Sequence, residues 1–250
     1  MLVSGSMKIQ RLNRALALRN LALQTSGASD GQTLAGACAT GTHGAALNLG
    51  AVHDTLRAVH LMVAPQQAVL VQPASGPFTN QAAKDLSHWL GFPTTLLSDD
   101  LLFGAAQVHL GSLGLVLNAI VETRPLYFWT QVITPHADDA WRTVLQTHSP
   151  AGIAGHAPNP NYLQVVLNPF KPLPIASKRA WVMSMTDTVF SNQPGVDIRP
   201  AAAVAPNPDL MELLAALENF DDIGFTDAAV RKRLTAELIG RYGDKKRTSQ

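Results

Sequence analysis

Between Thr33 and Gly50 the sequence gathers residues that let a backbone come close to a guest. Gly36, Gly41, Gly44 and Gly50 are interleaved with the hydroxyls of Thr33, Thr40 and Thr42 and with the small side chains of Ala37, Cys38 and Ala39. Glycine carries no Cβ and tolerates positive φ, so main-chain N–H donors there can lie against a bound group with hydroxyls beside them. That is the chemistry of a cradle for a flavin or a phosphate. A Walker A loop is excluded: Gly36 and Gly41 have its spacing, but Thr42 and His43 stand where Lys and Ser or Thr must follow. No G-x-G-x-x-G can be drawn through the run, which excludes a Rossmann fingerprint.

The motif Ala39-Thr40-Gly41-Thr42-His43-Gly44, followed by a gap and an extended apolar segment, resembles the vanillyl-alcohol-oxidase or PCMH-type flavoproteins, and among them most the sugar-lactone and alditol oxidase branch. A second motif follows at the expected distance. Phe103, Ala105, Val108, Leu110, Gly111, Leu113, Gly114 and Val116 match the family's Phe-x-Ala-x-x-Val-x-Leu-Gly-Ala-Leu-Gly-Val-Val, with Ser112 and Leu115 departing from it. The resemblance runs from about Leu12 to Pro125. It implies FAD as cofactor, held by Thr33, Gly36, Ala37, Cys38, Ala39, Thr40, Gly41, Thr42, His43 and Gly44, with the backbone around Ile120 near the flavin ring or the adenine. It also implies oxidation of an alcohol carbon in a small sugar-like polyol or lactone, with oxygen or another acceptor taking the electrons.

Family members begin with a βαβ-like lobe whose own glycine-rich loop holds the pyrophosphate, and nothing here corresponds to it. The expectation is a fragment, or a chain that needs a second polypeptide to supply that lobe, including a half-enzyme or non-catalytic remnant. The covalent-flavin histidine of some members belongs to that loop, so His43 does not inherit the role. Three parts remain open for His43: holding its turn by a bond to backbone, tuning a nearby flavin, or acid–base work. No residue matches the family's base or its substrate contacts, so no catalytic residue is carried over.

Other chemistries find little support. The eight histidines form no H-x-x-x-H or H-E-x-x-H pattern, and the single cysteine leaves no C-x-x-C, which argues against a metal. There is no G-x-S-x-G elbow for a serine nucleophile. The pairs Asp99-Asp100, Asp138-Asp139 and Asp221-Asp222 read as helix caps or loop residues. Cys38, flanked by alanines, reads as a small packing residue. A net charge of +1 with 15% charged residues points to neither nucleic acid nor an anionic membrane as partner. No apolar run reaches a membrane-span length, and a soluble, cytoplasmic protein is the expectation.

The elements that must position these residues read as α+β: a partial PCMH-type FAD-binding domain, then an incomplete antiparallel-sheet substrate domain. Residues 1–7 are expected to be a disordered leader, 8–125 the partial FAD-binding domain, and 126–250 the partial substrate domain with C-terminal helices. A helix is expected over 8–20. Paired strands at 55–64 and 67–72 follow, joined at Pro65, with apolar residues on both faces as in a sheet covered by helices. A helix over 78–90 has Thr79 as cap, Ala82, Leu86, Trp89 and Leu90 on one face and Gly91 as stop. Asp99 or its neighbours cap a short helix to Ala106, and a strand runs from Leu115 to Thr123. Beyond Pro125 come a strand over 126–133, a helix to Gln146, and strands at 162–167 and 180–186 with Trp181, Met183 and Met185 on one face. A linker over 191–208, helices from Asn207 and from Thr226, and a solvated basic tail at 241–247 complete the reading.

Overall fold

The computed structural model describes residues 1–27, 30–136, 139–167, 180–189 and 245–249. Contacts divide the chain into two units, Met1–Leu126 and Tyr127–Gln250.

The first unit is built on a five-stranded sheet. Its strands are β1 (Leu2–Ser4), β3 (Leu56–Ala64), β4 (Gln67–Gln72), β5 (Thr94–Ser98) and β6 (Leu115–Val121), in the order β1-β6-β3-β4-β5. Pairings are antiparallel except β4 with β5, which run parallel through the crossover helix α3 (Asn80–Leu90). A further two-residue ladder joins β2 (Leu21–Ala22) to β7 (Arg124–Pro125). Strand alternation sends successive side chains to opposite faces. Val59, Leu61, Ala119 and Val121 therefore meet α1 (Ile9–Ala17), α2 (Leu34–Ala39) and α4 (Asp100–Gln107), whose Leu12, Leu16, Leu34 and Phe103 complete that core. On the opposite face Ala58, Leu70 and Ile120 pack with Leu86 of α3. The sheet is covered on both sides, as its doubly apolar strands require.

Caps fall where the sequence puts them. Asp99 Oδ1 accepts from the Leu102 amide at 2.7 Å, and Gly91 ends α3. Thr79 occupies the N-cap position of α3 but its hydroxyl makes no cap bond there. Trp89 is not on the packing face, being 65% exposed; Ala83 and Leu86 are the residues α3 buries.

Residues 1–7 are not a disordered leader. Leu2, Val3 and Ser4 pair with Ile120, Ala119 and Asn118, and Val3 is buried. The carbonyls of Gly5 and Met7 then accept the amides of Ala35 and Leu34 at 3.0 and 2.8 Å. β5 lies in a stretch with no assigned element in the sequence reading, because only Thr94 of its five residues is buried and no alternation shows.

In the second unit β8 (Tyr127–His136), β9 (Tyr162–Leu167), β10 (Ala180–Val189) and β11 (Lys245–Ser249) form an antiparallel sheet in the order β11-β8-β10-β9. α5 (Ala140–Thr147) follows β8. Trp181, Met183 and Met185 share a face with Ile133 and Val166, as the stripe predicts. The basic tail is corrected: Lys245–Ser249 pairs with β8 instead of fraying, giving the main-chain groups of that edge a partner. The linker over 191–208, the helices expected from Asn207 and Thr226, and Asp138 lie outside the described residues.

Candidate functional site

The run read as an open cradle is first of all a short helix with both ends closed. Thr33, in extended conformation, caps α2 by accepting the Gly36 amide on Oγ1 at 3.1 Å. The preceding amides of Leu34 and Ala35 are taken by the carbonyls of Met7 and Gly5. At the other end Gly41 has φ +68°; its amide bonds the Cys38 carbonyl at 2.9 Å, and the Thr42 amide bonds the Ala37 carbonyl at 2.8 Å. These two bonds are a Schellman closure, which requires a left-handed residue one position past the cap and explains glycine at 41.

The side chains divide accordingly. Leu34, Ala37 and Cys38 point into the core, and burial pushes the Cys38 thiol up to about 12, leaving it an unreactive packing group. Ala37 and Cys38 therefore have no side-chain surface to offer a cofactor. Gly36 and Thr40 are exposed, Ala39, Gly41, Thr42 and Gly44 half-buried, and His43 exposed. Thr40 Oγ1 donates to the Gly36 carbonyl at 2.8 Å and Thr42 Oγ1 to Gln32 Oε1 at 3.0 Å, so each hydroxyl oxygen keeps acceptor capacity toward the outside. His43 Nδ1 lies 3.2 Å from the Gly44 carbonyl, the backbone-bracing part among its three readings. Ile120 is not brought to this rim. It lies in the middle of the sheet, between Leu2 and Ala58, and its side chain packs on the α3 face, opposite α2.

What joins the helix end is the second motif. After α4 the chain passes close under α2: the Leu110 amide donates to the Ala39 carbonyl at 3.0 Å. A Cβ added to Gly41 would lie 3.7 Å from Val108 Cγ1. Between them His109 turns inward and is 93% buried by its 7% exposure. Its Nδ1 accepts the Gly111 amide at 3.0 Å, which leaves Nε2 as the protonated nitrogen of the neutral ring. Burial lowers its pKa and holds that neutral form. Nε2–H is buried with no partner among the described residues, and the ring borders a small apolar cleft with Cys38, Ala39, Ala106, Gln107 and Val116. The sequence reading passed over His109 because it fills a variable position of the motif; a histidine between two apolar residues just ahead of a glycine was the signal available. Farther on, φ at Gly114 is +126° and a Cβ there would run into the Met62 carbonyl, so this glycine serves a close crossing of β3.

Two other polar clusters are internally satisfied. His60, fully buried, has Nδ1 and Nε2 within 3.2 Å of Asn118 Nδ2 and Thr94 Oγ1, and burial lowers its pKa. In the second unit His156 Nδ1 meets Ser184 Oγ at 2.7 Å and its Nε2 meets Thr134 Oγ1 at 2.8 Å; the same hydroxyl lies 2.9 Å from His136 Nε2. With both nitrogens engaged, His156 braces that sheet. Among the described residues no group of three or more His, Cys, Asp or Glu is placed to hold a metal, and no helix is long and apolar enough to cross a membrane.

This α+β fold is one found in solved structures. A variant of cholesterol oxidase from Brevibacterium sterolicum aligns over 99% of this chain and 43% of its own, with a TM-score of 0.55 at 13% identity, a likeness of fold. No protein-family model matches the sequence. Curated relatives do: D-arabinono-1,4-lactone oxidase of Yarrowia lipolytica is 28% identical over 125 residues, 50% of this chain and 19% of that protein. L-gulono-1,4-lactone dehydrogenase of Mycobacterium tuberculosis is 28% identical over 145 residues, 58% of this chain and 26% of that protein. The chain thus spans about a fifth to a quarter of these relatives' length. Over about half of its own length it is similar in sequence to a sugar-lactone oxidase and a sugar-lactone dehydrogenase.

Proposed function

We propose that this chain is part of an FAD-dependent oxidoreductase that oxidises an alcohol carbon of a sugar-like polyol or lactone. The observation that carries the reading is the joining of the two motifs in space, with the Leu110 amide on the Ala39 carbonyl and Val108 beside Gly41. The names of the relatives support the substrate class. FAD, if bound, would supply the two-electron redox chemistry of such an oxidation.

The residues fit such a group along the exposed rim from Thr40 to Gly44, and not along the interior of α2. Thr40 and Thr42 offer hydroxyl oxygens, Gly41 and Gly44 allow close approach, and His43 stands at the outer edge. His109, with an N–H unpartnered among the described residues, borders the small cleft that Ala39 also lines. Thr33 and Gly36 act on this rim from behind, by fixing where α2 begins.

The visible spectrum of the purified chain, with and without added FAD, tests the reading. Flavin absorption bands that stay with the protein through gel filtration are the expected result. Uptake only after a second polypeptide is added would give the half-enzyme form of the proposal. No uptake under either condition would leave a non-catalytic relative and sink the oxidoreductase reading.

A further inference from the structure

Among the described residues four other than glycine hold left-handed φ: Asn20 at 56°, Gln66 at 56°, His148 at 53° and Leu110 at 49°. Three have ordinary reasons. Asn20 is a residue type that tolerates this region, Gln66 sits in the tight turn between β3 and β4, and His148 is the C-cap of α5. Leu110 also lies in a turn, His109–Ser112, closed by the Ser112 amide on the His109 carbonyl, but leucine is not a residue type that favours a left-handed turn position. Its backbone sits in a region that costs an L-residue on the order of 1–2 kcal/mol, and its side chain, 77% exposed, recovers no burial.

The chain around it is clamped so that Leu110 stays out. Its own amide bonds Ala39, the Gly111 amide bonds His109 Nδ1, and the Ser112 amide bonds the His109 carbonyl at 2.8 Å. Val108, 40% exposed, lies next to Gly41. Val108 thus adjoins the rim from Thr40 to Gly44, and the Leu110 backbone is tied to Ala39, the residue just before that rim. A leucine at a left-handed turn position that buries no side chain, next to a candidate site, is costly to the fold and so points to a use outside it.

We propose that Val108 and Leu110 form an apolar shelf on which a flat heteroaromatic ring of a flavin nucleotide lies, at the edge of the Gly41–Gly44 rim. The proposal rests on the FAD reading above and names residues for it. Isoalloxazine and adenine share the required chemistry, a flat π face with a polar perimeter, which suits apolar side chains below and the hydroxyls of Thr40 and Thr42 alongside.

The test compares wild type with Leu110→Gly, with Leu110→Asn as a second variant that tolerates the same φ, and with Leu18→Ala as control. Leu18 is 87% exposed, has an ordinary φ of −60° and lies outside the site. FAD and riboflavin binding are read by flavin fluorescence, and AMP binding by competition with FAD. Losing one apolar contact face should weaken FAD binding roughly tenfold or more in both Leu110 variants. In the same Leu110→Gly protein without ligand, release of the strained backbone should raise the thermal midpoint by roughly 2–4 °C. Leu18→Ala should change neither. A matching loss for riboflavin identifies isoalloxazine on the shelf, and a matching loss for AMP identifies adenine. FAD binding unchanged in both Leu110 variants overturns the shelf and leaves the cofactor reading standing. A lowered midpoint in Leu110→Gly also overturns it, because the side chain would then be serving the fold. Failure of wild type to take up FAD removes the cofactor reading and the shelf together.

Discussion

The two glycine-rich segments of the first unit handle their polar groups in opposite ways. From Thr33 to Thr42 the donors are consumed locally: amides at Leu34, Ala35, Gly36, Gly41 and Thr42 each have an acceptor within the chain, as do the hydroxyls of Thr40 and Thr42. From Val108 to Gly114 something is left over, namely a buried imidazole N–H without a partner among the described residues and an exposed leucine in a left-handed conformation. Glycine content alone does not separate a binding segment from a helix end. Unspent hydrogen-bonding capacity and a costly turn position set the second segment apart, since each lowers the stability of a fold that has no use for it.

The sharpest way to break this contrast is Gly114→Ala. At φ +126° with the Met62 carbonyl in the way, the substitution should cost on the order of 3 kcal/mol or abolish folding. A urea midpoint close to wild type would show that Gly114 is not held by this crossing.

In the first segment the effects on stability should be smaller. Thr33→Ala removes the α2 cap and should cost about 1 kcal/mol. Gly41→Ala has room for its Cβ but must adopt the left-handed closure, again at about 1 kcal/mol, while Gly41→Asn should lose less. Chemical denaturation of the three variants measures this, and an Asn variant less stable than the Ala variant would contradict the Schellman closure.

The smallest expected effect concerns His109. Burial lowers its pKa from the ordinary 6.5, so as pH falls through that value the unfolded chain takes up a proton that folded His109 refuses. Its contribution is complete above that range and declines as pH drops through it, until the folded ring itself protonates. His60 and His156 shift in the same direction, so His109→Gln should remove a part of the acid-side slope. Urea midpoints at about pH 7.5 and about pH 5.5 give the slope. A slope identical to wild type would mean that His109 carries a proton in the fold.

Much of the scaffold was readable. The alternation in β3 and β4, Asp99 as a cap, Gly91 as a stop and the Trp181–Met183 face depend on neighbours in sequence, and periodicity reports such neighbours well. The failures share a different cause. β1 is three residues long with Leu2 and Ser4 exposed, and it is defined by a partner near residue 119; nothing local announces it. α2 is composed of alanine, glycine and cysteine with a single leucine, so its glycines read as a loop although its caps make it a helix. Trp89 looked like core by type, but α3 is rotated to bury Ala83 and Leu86. Within the candidate site, the glycine and hydroxyl content of the stretch from Thr40 to Gly44 could be read, and its partial exposure is a structural finding. The inward turn of Ala37 and Cys38, the far-face position of Ile120 and the orphan nitrogen of His109 are properties of packing that no motif spells out.

The pairing of Leu2–Ser4 with Asn118–Ile120 has a further consequence for synthesis. Leu2–Ser4 have no strand to join until the second motif and β6 have followed them out of the ribosome. Until then the carbonyls that satisfy the start of α2 are not in place, so the nascent first unit cannot complete cotranslationally in stages. It must close in one late, long-range step, with rate governed by chain closure instead of by local propensity.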